Sequence, residues 1–132
     1  MQSRTERLER EGSVRQDTIL LEAIHRVRRH AGLREDQLHQ RPLVIVVTKW
    51  DSWHELLPDV SRDEPYLDVP GQDVQALDLA KIENVSCRVG ELLGELCPEV
   101  VAAAAGFAED ITFIPVSATG SAPEVDPENP RG

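Results

Sequence analysis

Two short segments of this 132-residue chain combine residue types that could recognise a flat, polar ligand. The first is Thr48–Asp51 (TKWD) and the second is Ser117–Gly120 (SATG). A carboxylate such as that of Asp51 can accept two hydrogen bonds from a planar pair of donors. Guanine presents such a pair at its ring N–H and its exocyclic amine, whereas adenine does not. A carboxylate at this position is therefore suited to distinguish guanine from adenine.

The neighbours of Asp51 have residue types that could complete a purine site. The aliphatic stem of Lys49 can lie along a purine ring while its ammonium group holds a nearby loop. The hydroxyl of Thr48 can stabilise the turn. Ala118 is small, so its backbone N–H can approach a flat ligand and donate to the guanine carbonyl oxygen, and Gly120 permits a tight turn.

Two predicted strands would position these segments. Leu43–Val47 is a continuous apolar run rich in β-branched residues, which is typical of a parallel strand buried on both faces. Ile111–Ser117 is the second strand, and its Pro115 removes one ladder donor, which favours an edge position. Ligands of open α/β sheets bind just outside the carboxyl ends of the strands, so we expect both segments at one edge.

The remaining pattern predicts helices around these strands. We expect helices at Asp17–Ala31, after Ser52, at Val74–Leu96 and at Glu99–Ala105, with a long polar loop at Asp59–Asp73. Gly90 and Gly94 either weaken the long helix or let another element approach it closely. Alternation of helix and strand indicates an α/β fold. Two parallel strands do not make a stable sheet, so further strands are expected on the open side of Leu43–Val47.

A strand ending in Asn/Thr-Lys-x-Asp, followed after a helical crossover by a strand ending in Ser-Ala-x-Gly, resembles the guanine-recognition half of P-loop GTPases of the translation-factor type. The matching segments are Val44–Asp51 and Phe113–Gly120, and the resemblance spans residues 17–120. It implies a Rossmann-like α/β G domain that binds GTP or GDP, with Mg²⁺-dependent hydrolysis in complete members.

The resemblance assigns a role to individual residues of the two segments. It places Asp51 on the guanine nitrogens, Lys49 on the ring face, Thr48 in support of the loop and Ala118 on the guanine oxygen. Ser117 and Thr119 complete the predicted nucleotide-binding set, which contains no catalytic residue and no metal ligand. Thr119 stands where a lysine often follows Ser-Ala, which leaves the contacts on that side of the base open.

The phosphate-binding motif of that family is absent from the sequence. No glycine is followed by lysine, so Gly-x-x-x-x-Gly-Lys-Ser/Thr does not occur. The one Asp-x-x-Gly match, Asp68–Gly71, follows Thr48 instead of preceding it and indicates a Pro-Gly turn. We therefore expect a partial P-loop NTPase domain at residues 16–120, between a charged lead-in (1–15), either a solvated helix or disordered, and a flexible proline-rich tail (121–132). It would act as a GTPase only if a longer parent protein supplies the phosphate-binding half.

Composition limits the other possibilities. The formal net charge of −10 argues against binding to nucleic acid or anionic membranes. No apolar run approaches the ~20 residues of a membrane span, and the charged first residues contain no signal-peptide core, so we expect a cytoplasmic protein. Its expected partners are a guanine nucleotide and either another protein or the missing half-domain. The alternative is a non-enzymatic protein-interaction module derived from a degenerate G domain.

Overall fold

The computed structural model describes residues 4–118, with side chains from residue 16 onward. The elements in chain order are α1 (Arg4–Ala31), β1 (Leu43–Val47), α2 (Trp50–Trp53), a 3-10 turn (His54–Leu56), β2 (Tyr66–Asp68), β3 (Gln75–Leu77), α3 (Leu79–Leu96), α4 (Pro98–Ala105) and β4 (Ile111–Pro115). The fold is therefore mixed α/β, with a small parallel sheet and helices, as the alternating pattern predicted.

The parallel sheet consists of β1 and β4, which pair in register from Leu43 opposite Ile111 to Val47 opposite Pro115. Helices α3 and α4 form the crossover between the two strands. In the described part of the chain β4 pairs with β1 alone, so the edge position expected from Pro115 is confirmed. On the outer side of β4, the buried Ser86 hydroxyl of α3 accepts a hydrogen bond from the Phe113 amide at 2.9 Å.

The expectation that β1 is buried on both faces is wrong. The side chains of Val44 and Val46 are 51% and 54% exposed, whereas Ile45 packs against the core. Helix α3 covers the face of the sheet that carries Ile45 and Phe113. Among residues 16–118 nothing covers the opposite face to the same degree. The expectation failed because the composition of a strand does not show whether a second layer of helices covers it.

Two groups of buried side chains hold the elements together. The larger group lies between α3, the sheet and the segment after β1, and consists of Trp50, Leu57, Val60, Val89 and Phe113. The smaller group joins α1 to the end of α4 and consists of Ile24, Phe107 and Ala108. Val89 is completely buried, and the ring of Phe113 lies against Gly90, where an added Cβ would come within 3.0 Å of it. Close approach is therefore the role of Gly90, one of the two alternatives that the sequence left open.

Several boundaries differ from those expected. Helix α1 begins at Arg4, so the lead-in is helical from that residue. Helix α3 begins at Leu79 and not at Val74, because the Asp78 side chain caps it by accepting a hydrogen bond from the Lys81 amide at 3.1 Å.

The residues before that cap belong to a second small sheet. Strand β3 pairs with β2 as an antiparallel hairpin. Strand β2 lies inside the expected loop Asp59–Asp73, whereas β3 lies in the first residues of the segment expected to be helix. The short helix α2 begins at Trp50, ahead of the expected start after Ser52. Helix α4 matches its prediction, with Pro98 in its first turn. The expected tail at 121–132 lies outside the described residues.

Candidate functional site

The structure brings the two motif segments together at the carboxyl ends of β1 and β4. The Val116 amide donates to the Val47 carbonyl at 2.9 Å, and the Trp50 amide donates to the Val116 carbonyl at 3.0 Å. These bonds continue the strand pairing past the last residue of β4. The turn that contains the TKWD segment is therefore attached directly to the residue that precedes Ser117.

A side-chain hydrogen bond joins the two segments. The Ser117 hydroxyl donates to Oδ1 of the half-buried Asp51 carboxylate at 2.9 Å. Asp51 Oδ2 accepts no hydrogen bond from the part of the chain that the structure describes. An ionised carboxylate has about four acceptor positions on its two oxygens, so the carboxylate keeps acceptor capacity while its orientation is restrained. The sequence offered no signal for this orienting role of Ser117.

Lys49 adopts an unusual backbone conformation in the middle of the site. Its φ of 60° and ψ of 37° lie in the left-handed region, where a residue with a side chain costs of order 1–3 kcal/mol. The Lys49 carbonyl accepts a hydrogen bond from the Ser52 amide at 2.8 Å, which closes the turn. The Lys49 side chain stays exposed and forms no ion pair with any side chain of residues 16–118.

The two tryptophans of this region, Trp50 and Trp53, pack together and hold the turn in place. Trp50 is buried in the core and meets the ring of Trp53 edge to face, with the ring centroids 4.5 Å apart. The Trp53 indole N–H donates to the Thr48 carbonyl at 2.8 Å. The observed bond at Thr48 thus uses its main chain, whereas the sequence suggested its hydroxyl. Most of the Trp50 side chain is therefore used in packing.

Ala118 follows Ser117 and is exposed. Its backbone amide makes no hydrogen bond within the described part of the chain, so this donor is available to a ligand. Thr119, the last residue of the expected set, lies outside the described residues. Five of the six expected site residues are therefore placed on two adjacent turns at one end of the sheet.

A cavity of about 560 Å³ lies beside this site, on the face of the sheet that α3 covers. Trp50, Phe113, Pro115 and Ser117 form its side toward the strand ends. Its volume falls within the range of small-molecule pockets. Asp51, Lys49 and Ala118 do not line the cavity, so among the described residues the two motif segments border it only through Trp50 and Ser117.

Two further findings concern the described residues. No group of three His, Cys, Asp or Glu side chains there is arranged to hold a metal ion. None of the helices described combines the length and apolar character that crossing a membrane requires.

Comparison with known proteins adds no relative to this description. The chain matches no protein-family model, and searches of curated proteins and of solved structures found no similar protein.

Proposed function

We propose that this chain is the guanine-recognition part of a Rossmann-like P-loop domain that binds GTP or GDP. The observation that supports the proposal best is the 2.9 Å hydrogen bond from Ser117 to Asp51. That bond joins two motifs that are 66 residues apart in sequence. If either motif matched only by coincidence, there would be no reason to expect a bond between them. In regulatory or signalling proteins, a base site of this kind would make the response depend on guanine nucleotides.

The chemistry of the proposed site follows from the positions of three groups. Asp51 would accept hydrogen bonds from the ring N–H and the exocyclic amine of guanine, which adenine does not offer in that arrangement. The free amide of Ala118 would donate to the guanine carbonyl oxygen. The stem of Lys49, whose side chain is exposed, would lie along the purine ring.

The proposal covers recognition of the base and no hydrolytic step. Phosphate binding in P-loop proteins uses consecutive backbone N–H groups of a glycine-rich loop ahead of a helix. The sequence holds no such loop, so the phosphate-binding half, with any Mg²⁺ that it binds, would have to come from elsewhere in a longer protein or from a partner.

A base-specific titration tests the proposal directly. Guanosine monophosphate should shift the amide NMR signals of Asp51, Lys49 and Ala118 in the ¹⁵N-labelled chain, and adenosine monophosphate should leave them in place. Asp51→Ala should remove the effect. Asp59→Ala is the matched control, because the Asp59 carboxylate is paired with Arg88 and with neither motif segment. Equal responses to both nucleotides, or a response confined to residues far from the strand ends, would rule the proposal out.

The substitution Asp51→Asn gives a sharper result. The amide that replaces the carboxylate can donate to the carbonyl that xanthine carries in place of the guanine amine. We therefore expect this variant to prefer xanthosine monophosphate over guanosine monophosphate, reversing the order of the parent chain. The measurement is a pair of titrations monitored at the Ala118 amide. Equal loss of affinity for both nucleotides would contradict the assignment of Asp51.

One observation favours the alternative, a protein-interaction module. Apolar side chains of β1 are exposed, and exposed apolar strands are typical sites of association. This surface lies on the strand itself and does not use the turn that holds Asp51, so the two candidate functions are separable.

A further inference from the structure

The cavity beside the strand ends has a predominantly apolar interior. Trp50 and Phe113, which are buried, contribute to its walls, together with Ile82 and Val85 on one side of α3. Leu77 also lines the cavity, and its side chain remains 58% exposed. These side chains suit the apolar body of a small molecule, which would remove their exposed surface from water.

The loop ahead of β2 forms a further wall, and hydrogen bonds to its main chain hold it in place. The Lys81 ammonium of α3 donates to the carbonyls of Asp63 and Glu64, at 2.7 Å and 3.4 Å. The Asp78 amide donates to the Pro65 carbonyl at 2.7 Å. Because these bonds fix the loop, a ligand would enter a space whose shape is already formed, which lowers the cost of binding.

The charged residues that line the cavity differ in their burial. Lys81 is half-buried, whereas the others, Arg62, Asp63 and Glu64, are exposed. The partners of the Lys81 ammonium are neutral carbonyls, and it forms no ion pair with any side chain of residues 16–118. The Asp63 carboxylate accepts instead from the Ser61 hydroxyl at 2.9 Å. Water screens exposed charges more than half-buried ones, so the positive charge of Lys81 has the stronger effect inside the cavity.

We propose that this cavity binds a small organic acid, with the apolar body of the ligand against the apolar walls and its carboxylate on Lys81. An ammonium group has three N–H donors, so Lys81 can bind a carboxylate while it keeps both loop carbonyls. A neutral ligand would lack this charge-assisted bond, and a cationic one would be repelled. Asp51, Lys49 and Ala118 do not line the cavity, so this site is separate from the proposed guanine site and does not rest on it.

Three probes that share a phenyl group and differ in charge test the class of ligand. The ¹⁵N-labelled full chain is titrated with phenylacetate, phenylethanol and phenylethylamine and followed by NMR. We expect phenylacetate to shift, saturably, the amide signals of Lys81 and Val85 and the indole N–H signal of Trp50. It should bind about tenfold more tightly than phenylethanol, which is the effect of one charge-assisted hydrogen bond, and phenylethylamine should bind most weakly. Equal affinity for the three probes, a preference for the amine, or no response at these residues would overturn the proposal.

The substitution K81M tests the contact assigned to Lys81. Methionine keeps an unbranched apolar side chain and removes the charge. We expect K81M to bind phenylacetate about tenfold more weakly than the parent chain and phenylethanol with unchanged affinity. K81M also removes the bonds to the loop, but loosening of the loop alone would weaken the binding of both probes to the same extent. Such equal weakening would contradict the proposed carboxylate contact.

Two tryptophan substitutions on α3 test the location of the site. Ile82 lines the cavity, whereas Leu79 is 71% exposed and does not line it. I82W should fill part of the cavity and abolish phenylacetate binding, and L79W, the matched control, should bind as the parent chain does. Circular dichroism reports whether each variant is folded. If folded I82W binds phenylacetate with the parent affinity, the cavity is not the site and the proposal fails. None of these measurements uses a nucleotide, so their outcome is independent of the proposed guanine site.

Discussion

At the scale of single residues, two carboxylates of this chain are fixed by different kinds of partner. Asp51 accepts one hydrogen bond from a neutral hydroxyl, that of Ser117. Asp59 receives two from the guanidinium of Arg88, at 2.8 Å and 3.0 Å, one on each oxygen. A carboxylate used on both oxygens by a cation has little capacity for a ligand. The restraint on Asp51 leaves it able to bind, whereas the restraint on Asp59 serves to attach the loop after α2 to α3.

The Asp59–Arg88 pair should make the free energy of unfolding depend on acid pH. Hydrogen bonds from Arg88 lower the pKa of Asp59 below its ordinary value of 3.8. The pair therefore stabilises the folded chain above pH 3.8, and this contribution disappears as the pH falls through the lowered pKa. We expect D59N to be less stable than the parent chain at neutral pH and equal to it once Asp59 is protonated. Urea unfolding at several pH values measures the difference.

The matched control for that experiment is E109Q, since Glu109 is exposed and forms no ion pair or side-chain hydrogen bond in the described structure. It should leave the pH dependence of stability unchanged. A difference between D59N and the parent chain that persists at the lowest pH would show that the pair acts through packing and not through charge.

Most of the candidate site could be predicted from residue types, but its internal restraints could not. Parallel strands end at one edge, so the proximity of Asp51 and Ser117 follows once both strands are recognised. The left-handed backbone of Lys49 has no residue-type signal, because lysine shows no preference for that region. The indole bond from Trp53 to Thr48 depends on how α2 packs and is equally invisible in the sequence.

At the scale of elements, prediction succeeded where local composition determines the secondary structure and failed where the structure or burial of a segment depends on the elements packed against it. Strand β1 and helix α4 were evident from a β-branched run and from a proline followed by alanines. The hairpin of β2 and β3 was missed because all six of its residues are exposed, which leaves no alternation of buried and exposed positions. The exposed face of β1 could not be predicted either, since it depends on which elements cover the sheet.

Two glycines of α3 give a matched test of how this helix packs. An added Cβ at Gly94 would meet no atom within 4 Å, whereas one at Gly90 would come within 3.0 Å of the Phe113 ring. G94A should stabilise the protein by about 0.5–1 kcal/mol through helix propensity. G90A gains the same propensity but overpacks a buried ring, so we expect it to be about 1–2 kcal/mol less stable than G94A.

Chemical denaturation of both glycine variants measures this difference in the free energy of unfolding. The Phe113 ring has little freedom to move because its backbone amide is bonded to Ser86 and its side chain is 9% exposed. If G90A and G94A stabilise the chain equally, the close packing of α3 on β4 is not a constraint on this fold.

At the scale of the whole molecule, Ile24 and Arg28 connect α1 to the rest of the described structure. Ile24 packs on Phe107, and the guanidinium of Arg28 donates to three carbonyls, those of Arg34, Gln37 and Gly106, at 2.6–2.8 Å. The guanidinium carbon also lies 5.7 Å from the centre of the Phe107 ring. One side chain thus joins α1, the connection to β1 and the end of α4.

Removing that side chain should loosen α1 before any other element. We expect R28A to lower the free energy of α1 docking by about 1–3 kcal/mol, because charged donors to three carbonyls are lost. R28K should recover only part of this, since an ammonium cannot match the planar fork of arginine. R29A is the control, with an exposed side chain and an expected change within about 0.5 kcal/mol.

Native-state hydrogen exchange measures the stability of each element separately. In R28A, amides of α1 should lose protection while those of α3 and β4 keep theirs. Equal loss of protection in all elements would show that α1 and the sheet unfold as one cooperative unit.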